Sequence, residues 1–92
     1  MEREDILKSP EYWTAKTQIE LYKCATEFME STGLNHDKLS KHLGVSKECT
    51  EQLLNGDYDN GISTFSKIVL SLGYVPSIKF VPITEFIESN KP

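Results

Sequence analysis

Basic charge, cysteine and long apolar runs are all scarce in this 92-residue sequence, and each scarcity removes a class of function. Ten Lys and Arg stand against fourteen Asp and Glu, a net charge of −4, which excludes a purely electrostatic binder of polyanions. Two cysteines, Cys24 and Cys49, are too few for the disulfide framework of a small secreted domain. No apolar run exceeds Ile68-Val69-Leu70, which Ser71 cuts off far short of the ~18 residues a membrane span needs. The acidic start Met1-Glu2-Arg3-Glu4-Asp5 lacks the basic-then-apolar order of a signal peptide. These absences predict a reduced, cytosolic, soluble protein with two free thiols.

Chemistry-bearing clusters are missing too. His36 and His42 are six apart, on different faces of any helix, and no Cys or acid joins them at metal-ligand spacing. There is no Ser/His/Asp set, phosphate loop or nucleophile beside paired carboxylates, so neither catalysis nor a cofactor is expected. What remains is a balance of 38% hydrophobic and 26% charged residues, enough for one small globular domain. Its acidity is uneven: residues 1–33 carry four Lys and Arg against seven Asp and Glu, whereas residues 59–92 carry three of each.

Residues 1–8 are polar and expected to fray. Ser9-Pro10-Glu11 reads as a helix start, with Ser at the N-cap and Pro at the first helical position. Tyr12, Ala15, Ile19, Tyr22, Ala25 and Phe28-Met29 then recur at helical steps, predicting an amphipathic helix of about 20 residues that stops at Gly33. A second helix starts from Asn35, buries Leu39 and Leu43, and stops at Gly44. Ser46 caps a third over residues 47–55, closed by Asn55-Gly56. The run Asp57-Tyr58-Asp59-Asn60-Gly61 is a turn-rich loop. A fourth helix opens at Ile62 or Ser63, carries Phe65, Ile68, Val69 and Leu72, and ends at Gly73. Beyond it, Ile78 and Phe80 alternate with Ser77, Lys79 and Val81. That period of two predicts a short edge strand between Pro76 and Pro82. Thr84–Glu88 fits a final helical turn.

The informative stretch runs from Leu34 to Gly56. Two short helices meet at Leu43-Gly44-Val45-Ser46, where Gly suits a tight turn between crossed helices. Leu39, Leu43, Val45 and Leu53 fill one small core between them. The third helix then places Lys47, Glu48, Glu51, Gln52 and Asn55 on one polar face, with Thr50, Leu53 and Leu54 opposite. A polar helix face is by default a solvated one; the turn signature and flanking helices argue instead that it meets a groove.

Leu34-Asn35, Leu39, Leu43-Gly44-Val45-Ser46, Glu51-Gln52-Leu53 and Asn55-Gly56 together resemble the XRE family of bacterial and phage regulators, which includes the lambdoid repressors and Cro proteins. The resemblance covers roughly residues 12–74. It implies an all-α, lambda-repressor-like helix-turn-helix bundle of four to five helices, to which the tail pattern adds a short C-terminal β-strand. The organisation expected is one domain over 1–92, with its core at 10–74, the helix-turn-helix at 35–56 and a tail at 75–92. The chain departs from the family pattern with His36 for Gln, Ser40 for Ala and Thr50 for Val or Ile. Thr50 keeps one methyl and adds a hydroxyl that needs a partner.

The implied partner is duplex DNA, bound by a homodimer that represses or autoregulates transcription. Side-chain chemistry assigns base reading to Gln52 for adenine, Lys47 for guanine, and Glu48 or Glu51 for cytosine. Asn35, His36 and Ser46, at helix N-termini, are implied phosphate contacts, with Lys41 and Asn55 at the edges. Two carboxylates on the reading helix oppose phosphate, so binding leans on helix dipoles, neutral donors and dimer avidity. The dimer is expected through Ile78 or Phe80 of the tail strand, paired with a second chain. The strand folded back on its own helices, the first helix and the fourth-helix region stay open as alternatives. Some small members of the family are antitoxins. The second functional reading is accordingly an interaction module whose acidic surface binds a partner toxin, with DNA binding weak or lost.

Overall fold

The computed structural model describes residues 3–89, and every described regular element is a helix: α1 Arg3–Leu7, α2 Pro10–Thr32, α3 His36–Leu43, α4 Lys47–Asn55, α5 Ile62–Ser71 and α6 Ile83–Ser89. The local signals explain the boundaries. Ser9 Oγ accepts from the Tyr12 amide at the start of α2, with Pro10 at its first turn. Asn35 Oδ1 accepts from Lys38 N at 2.9 Å and Ser46 Oγ from Cys49 N at 3.1 Å, capping α3 and α4. The α3–α4 turn is three residues long. Gly44 there is left-handed at φ 69°, and the amides of Gly44 and Val45 both close on the Ser40 carbonyl. A side chain at Gly44 would be strained by that backbone, and its Cβ would meet Lys67 Nζ at 2.8 Å.

The core sits where the C-terminal half of α2 meets α3, α4 and α5. Ala25, Leu39, Leu43, Leu53 and Ile68 are wholly buried there, joined by Leu21, Tyr58 and Leu72. Each of the large apolar side chains contributes about 1.5–3 kcal/mol by leaving water. His42 fastens the outside of this core: its ring stacks on Phe28 at 4.9 Å, and Nε2–H donates to the Ser71 carbonyl at 2.8 Å.

Four expectations need correction. Residues 3–7 of the supposedly frayed start form α1, because Leu7 is buried and its carbonyl accepts from Trp13 Nε1 at 2.7 Å; residues 1–2 lie outside the described part. The stripe Tyr12, Ala15, Ile19, Tyr22 is exposed, and the buried positions of α2 are Leu21 and Ala25. At 23 residues, about 34 Å, α2 overhangs the bundle, so its first half has nothing large to pack on. Described helices number six rather than four or five. Finally, the edge strand is absent: among the described residues there is no strand, and Tyr74–Pro82 is irregular. The Ser77 amide bonds back to the Val75 carbonyl at 2.8 Å across Pro76, a tight three-residue turn that breaks an extended run at its start. Among the described residues no second extended segment offers a ladder. Residues 90–92 of the tail lie outside the described part.

Candidate nucleic-acid interface

Helix α4 is held by its apolar side. Cys49, Thr50 and Leu53 are buried and Leu54 is half-buried, while Lys47, Glu48, Glu51, Gln52 and Asn55 are exposed. The nine-residue element therefore presents one continuous polar strip of about 13 Å. Two of its side chains are already oriented. Lys47 Nζ lies 3.2 Å from Asp37 Oδ1 of α3, an exposed pair that costs little to open. Gln52 Oε1 accepts from Asn60 Nδ2 at 3.2 Å, which leaves its own amide N–H groups free to donate. Glu48, Glu51 and Asn55 project into solvent.

The expected phosphate contacts gather at helix starts. Asn35 and Ser46 spend their side-chain oxygens on capping, yet the Asn35 amide donors and the Ser46 hydroxyl proton stay available. Lys41, Ser46, Lys47 and Asp37 line one depression of about 450 Å³ across the α3–α4 turn. His36 is exposed at the first position of α3. Asn55 is apart from these, at the carbonyl end of α4, where the helix dipole disfavours an anion. Ile78 and Phe80 border apolar grooves lined by α1, α2, α5, α6, the 57–61 loop and the tail, and take no part in the strip.

Sequence reasoning missed three residues here. Gly61 caps α5 without a side-chain acceptor, so the first amides of that helix are open. Thr64 and Lys67 of α5 share a depression of about 380 Å³ with Gly44, Ser46 and Gly61. Lys67 Nζ donates to the Gly44 carbonyl at 2.7 Å. Two helix N-termini and one ammonium thus converge beside α4, an arrangement that favours an anion. The uncapped Gly61 was the only local signal, since Lys67 is 23 positions from Gly44.

Cys49 also lines that depression. Burial pushes the Cys49 thiol up, against a hydrogen bond from Asn60 Nδ2 that pulls it down. Burial also raises Cys24, reinforced by Glu27 and Glu20. Among the described residues no group of three His, Cys, Asp or Glu can hold a metal ion, and no helix is long and apolar enough to cross a membrane. The chain matches no protein-family model, no curated protein and no solved structure.

Proposed function

We propose that this chain is a sequence-specific duplex-DNA-binding regulator with a lambda-repressor-like helix-turn-helix, acting in the cytoplasm as a dimeric repressor or autoregulator and without catalysis. The observation that carries the reading is the exposed polar strip of α4, presented by a capped three-residue turn and flanked by helix N-termini, of which that of α5 has no side-chain cap. In that arrangement α4 enters the major groove, Gln52 and Lys47 read base edges, and the starts of α3, α4 and α5 hold phosphates on either side. Selection from random duplexes tests it. The wild-type chain is expected to enrich one motif. Gln52→Ala relaxes one position of that motif and costs about 1–3 kcal/mol of binding. An unchanged motif removes Gln52 from the reading face; no enrichment at all removes the proposal.

A second reading has its own support. Glu48 and Glu51 are exposed on α4, with Asp57 and Asp59 in the loop that follows. An acidic strip of this kind suits a basic protein, such as the toxin partner of an antitoxin, and the two roles are compatible in one molecule.

A further inference from the structure

We propose that the end of the molecule built around Trp13 is a self-association face, seated against the same face of a second copy of this chain. Two apolar grooves share Trp13 as a wall. The first, about 300 Å³, runs between Leu7, Trp13, Phe80, Ile83 and Phe86. The second, about 400 Å³, runs between Trp13, Leu21, Tyr58, Ile62, Phe65 and Ile78. Large apolar side chains stand at their rims: Phe80 is 96% exposed, Ile62 85% and Ile78 64%. Protrusions beside grooves of the same apolar character are what a two-fold interface needs, because each copy supplies both parts.

Charge points to the same occupant. Among the described residues that line these grooves, the formally charged side chains at neutral pH are one cation and one anion, Lys79 on the first and Asp59 on the second. Neither has an ion-pair partner among the described residues. A two-fold axis near Trp13 lays the first groove of one copy over the second groove of the other. Lys79 then faces the second copy's Asp59, twice by symmetry. A strongly basic or acidic foreign partner would meet only one of the two.

This packing joins side chains and requires no strand ladder, in keeping with the turn at Ser77. Asn60 lines the second groove and also bonds Gln52, so the interface lies beside α4 and would fix the spacing of two such helices.

Sedimentation of the full chain without DNA tests the proposal independently of the DNA reading. In the low micromolar range the wild type is expected to run as a dimer. Asp59→Lys and Lys79→Asp, both at exposed positions, should each weaken it about tenfold by placing like charges together, and the double swap should return it to within about threefold. Phe80→Asp should give a monomer with an unchanged circular dichroism spectrum. A wild type that stays monomeric at about 100 µM, well above the dissociation constant of a standard interface, overturns the proposal and leaves the face to a different protein. A double swap no tighter than either single swap also overturns it.

Discussion

Ser40 and Thr50, two of the positions at which the chain departs from the pattern it resembles, meet each other. Ser40 Oγ lies 2.7 Å from Thr50 Oγ1 in the buried seam between α3 and α4. The pair is anchored at both ends, Ser40 to the His36 carbonyl at 3.0 Å and Thr50 to the Ser46 carbonyl at 3.1 Å. Two protons serve three contacts, and no described buried side-chain polar atom lacks a partner. The sequence marked Thr50 as a hydroxyl in need of a partner, but the partner is ten positions away on another helix. Ser40→Ala or Thr50→Val should each cost about 1 kcal/mol. The double variant restores an apolar seam, so its loss should fall below the sum of the singles by a coupling of about 1 kcal/mol, measured by urea denaturation. Strict additivity would mean the hydroxyls bond only to backbone.

Titration gives a second expectation for single residues. Burial raises the thiols of Cys24 and Cys49 and, with the neighbouring Cys49, the phenol of Tyr58. The native chain therefore holds protons that the unfolded chain releases from about pH 8.5 for cysteine and about pH 10 for tyrosine. Stability is intact below the unfolded values and falls as pH rises toward the raised native ones. The urea midpoint should drop between pH 7.5 and pH 10, and Cys49→Ala should flatten that slope. A midpoint that does not move with alkalinity would place these groups in contact with water.

At the scale of elements, the parts legible in the sequence were those fixed within a few residues. Ser9, Asn35 and Ser46 mark starts, and Gly33, Gly44 and Gly56 mark ends, because capping is local. The polar strip of α4 was legible for the same reason, being a matter of period alone. What failed needed partners outside the element itself: α1 is held where Trp13 Nε1 of α2 reaches the Leu7 carbonyl, and among the described residues Ile78 and Phe80 have no ladder to join. Lys67 and His42, which clamp the turn and the end of α5, act across 23 and 29 positions. The strip itself carries a prediction. Glu48 and Glu51 project from it near the helix starts proposed to hold phosphate, so their charge acts on phosphate whichever bases are present. Replacing both with Gln should strengthen binding to all duplexes, most at low salt, as read by a salt titration of affinity. Weakening confined to the preferred motif would instead show a carboxylate accepting from cytosine.

The whole molecule is longer than a compact chain of its length. Its radius of gyration is 15.3 Å, against about 12 Å for a compact 92-residue chain, and its extents are 43 × 24 × 22 Å. The elongation comes from α2, which carries the bundle on its second half and a smaller cluster on its first. That cluster gathers α1 and α6 around Trp13, whose ring meets Tyr12 and Phe86 edge-on at 5.0 and 5.8 Å. It buries little: α6 has no buried residue and α1 contributes Leu7. A cluster with so few buried side chains opens at lower free energy than the bundle core. Trp13 is the sole tryptophan and therefore a private reporter of this end. In a monomeric sample its fluorescence should shift at a lower urea concentration than the loss of helical circular dichroism, which follows α2 to α5. Phe86→Ala should move the fluorescence transition further down and leave most of the helical transition in place, because Phe86 packs on Trp13 and not on the bundle core. Coincident transitions in both the wild type and Phe86→Ala would show one cooperative unit, with the overhanging half of α2 as strongly held as the half that carries the core.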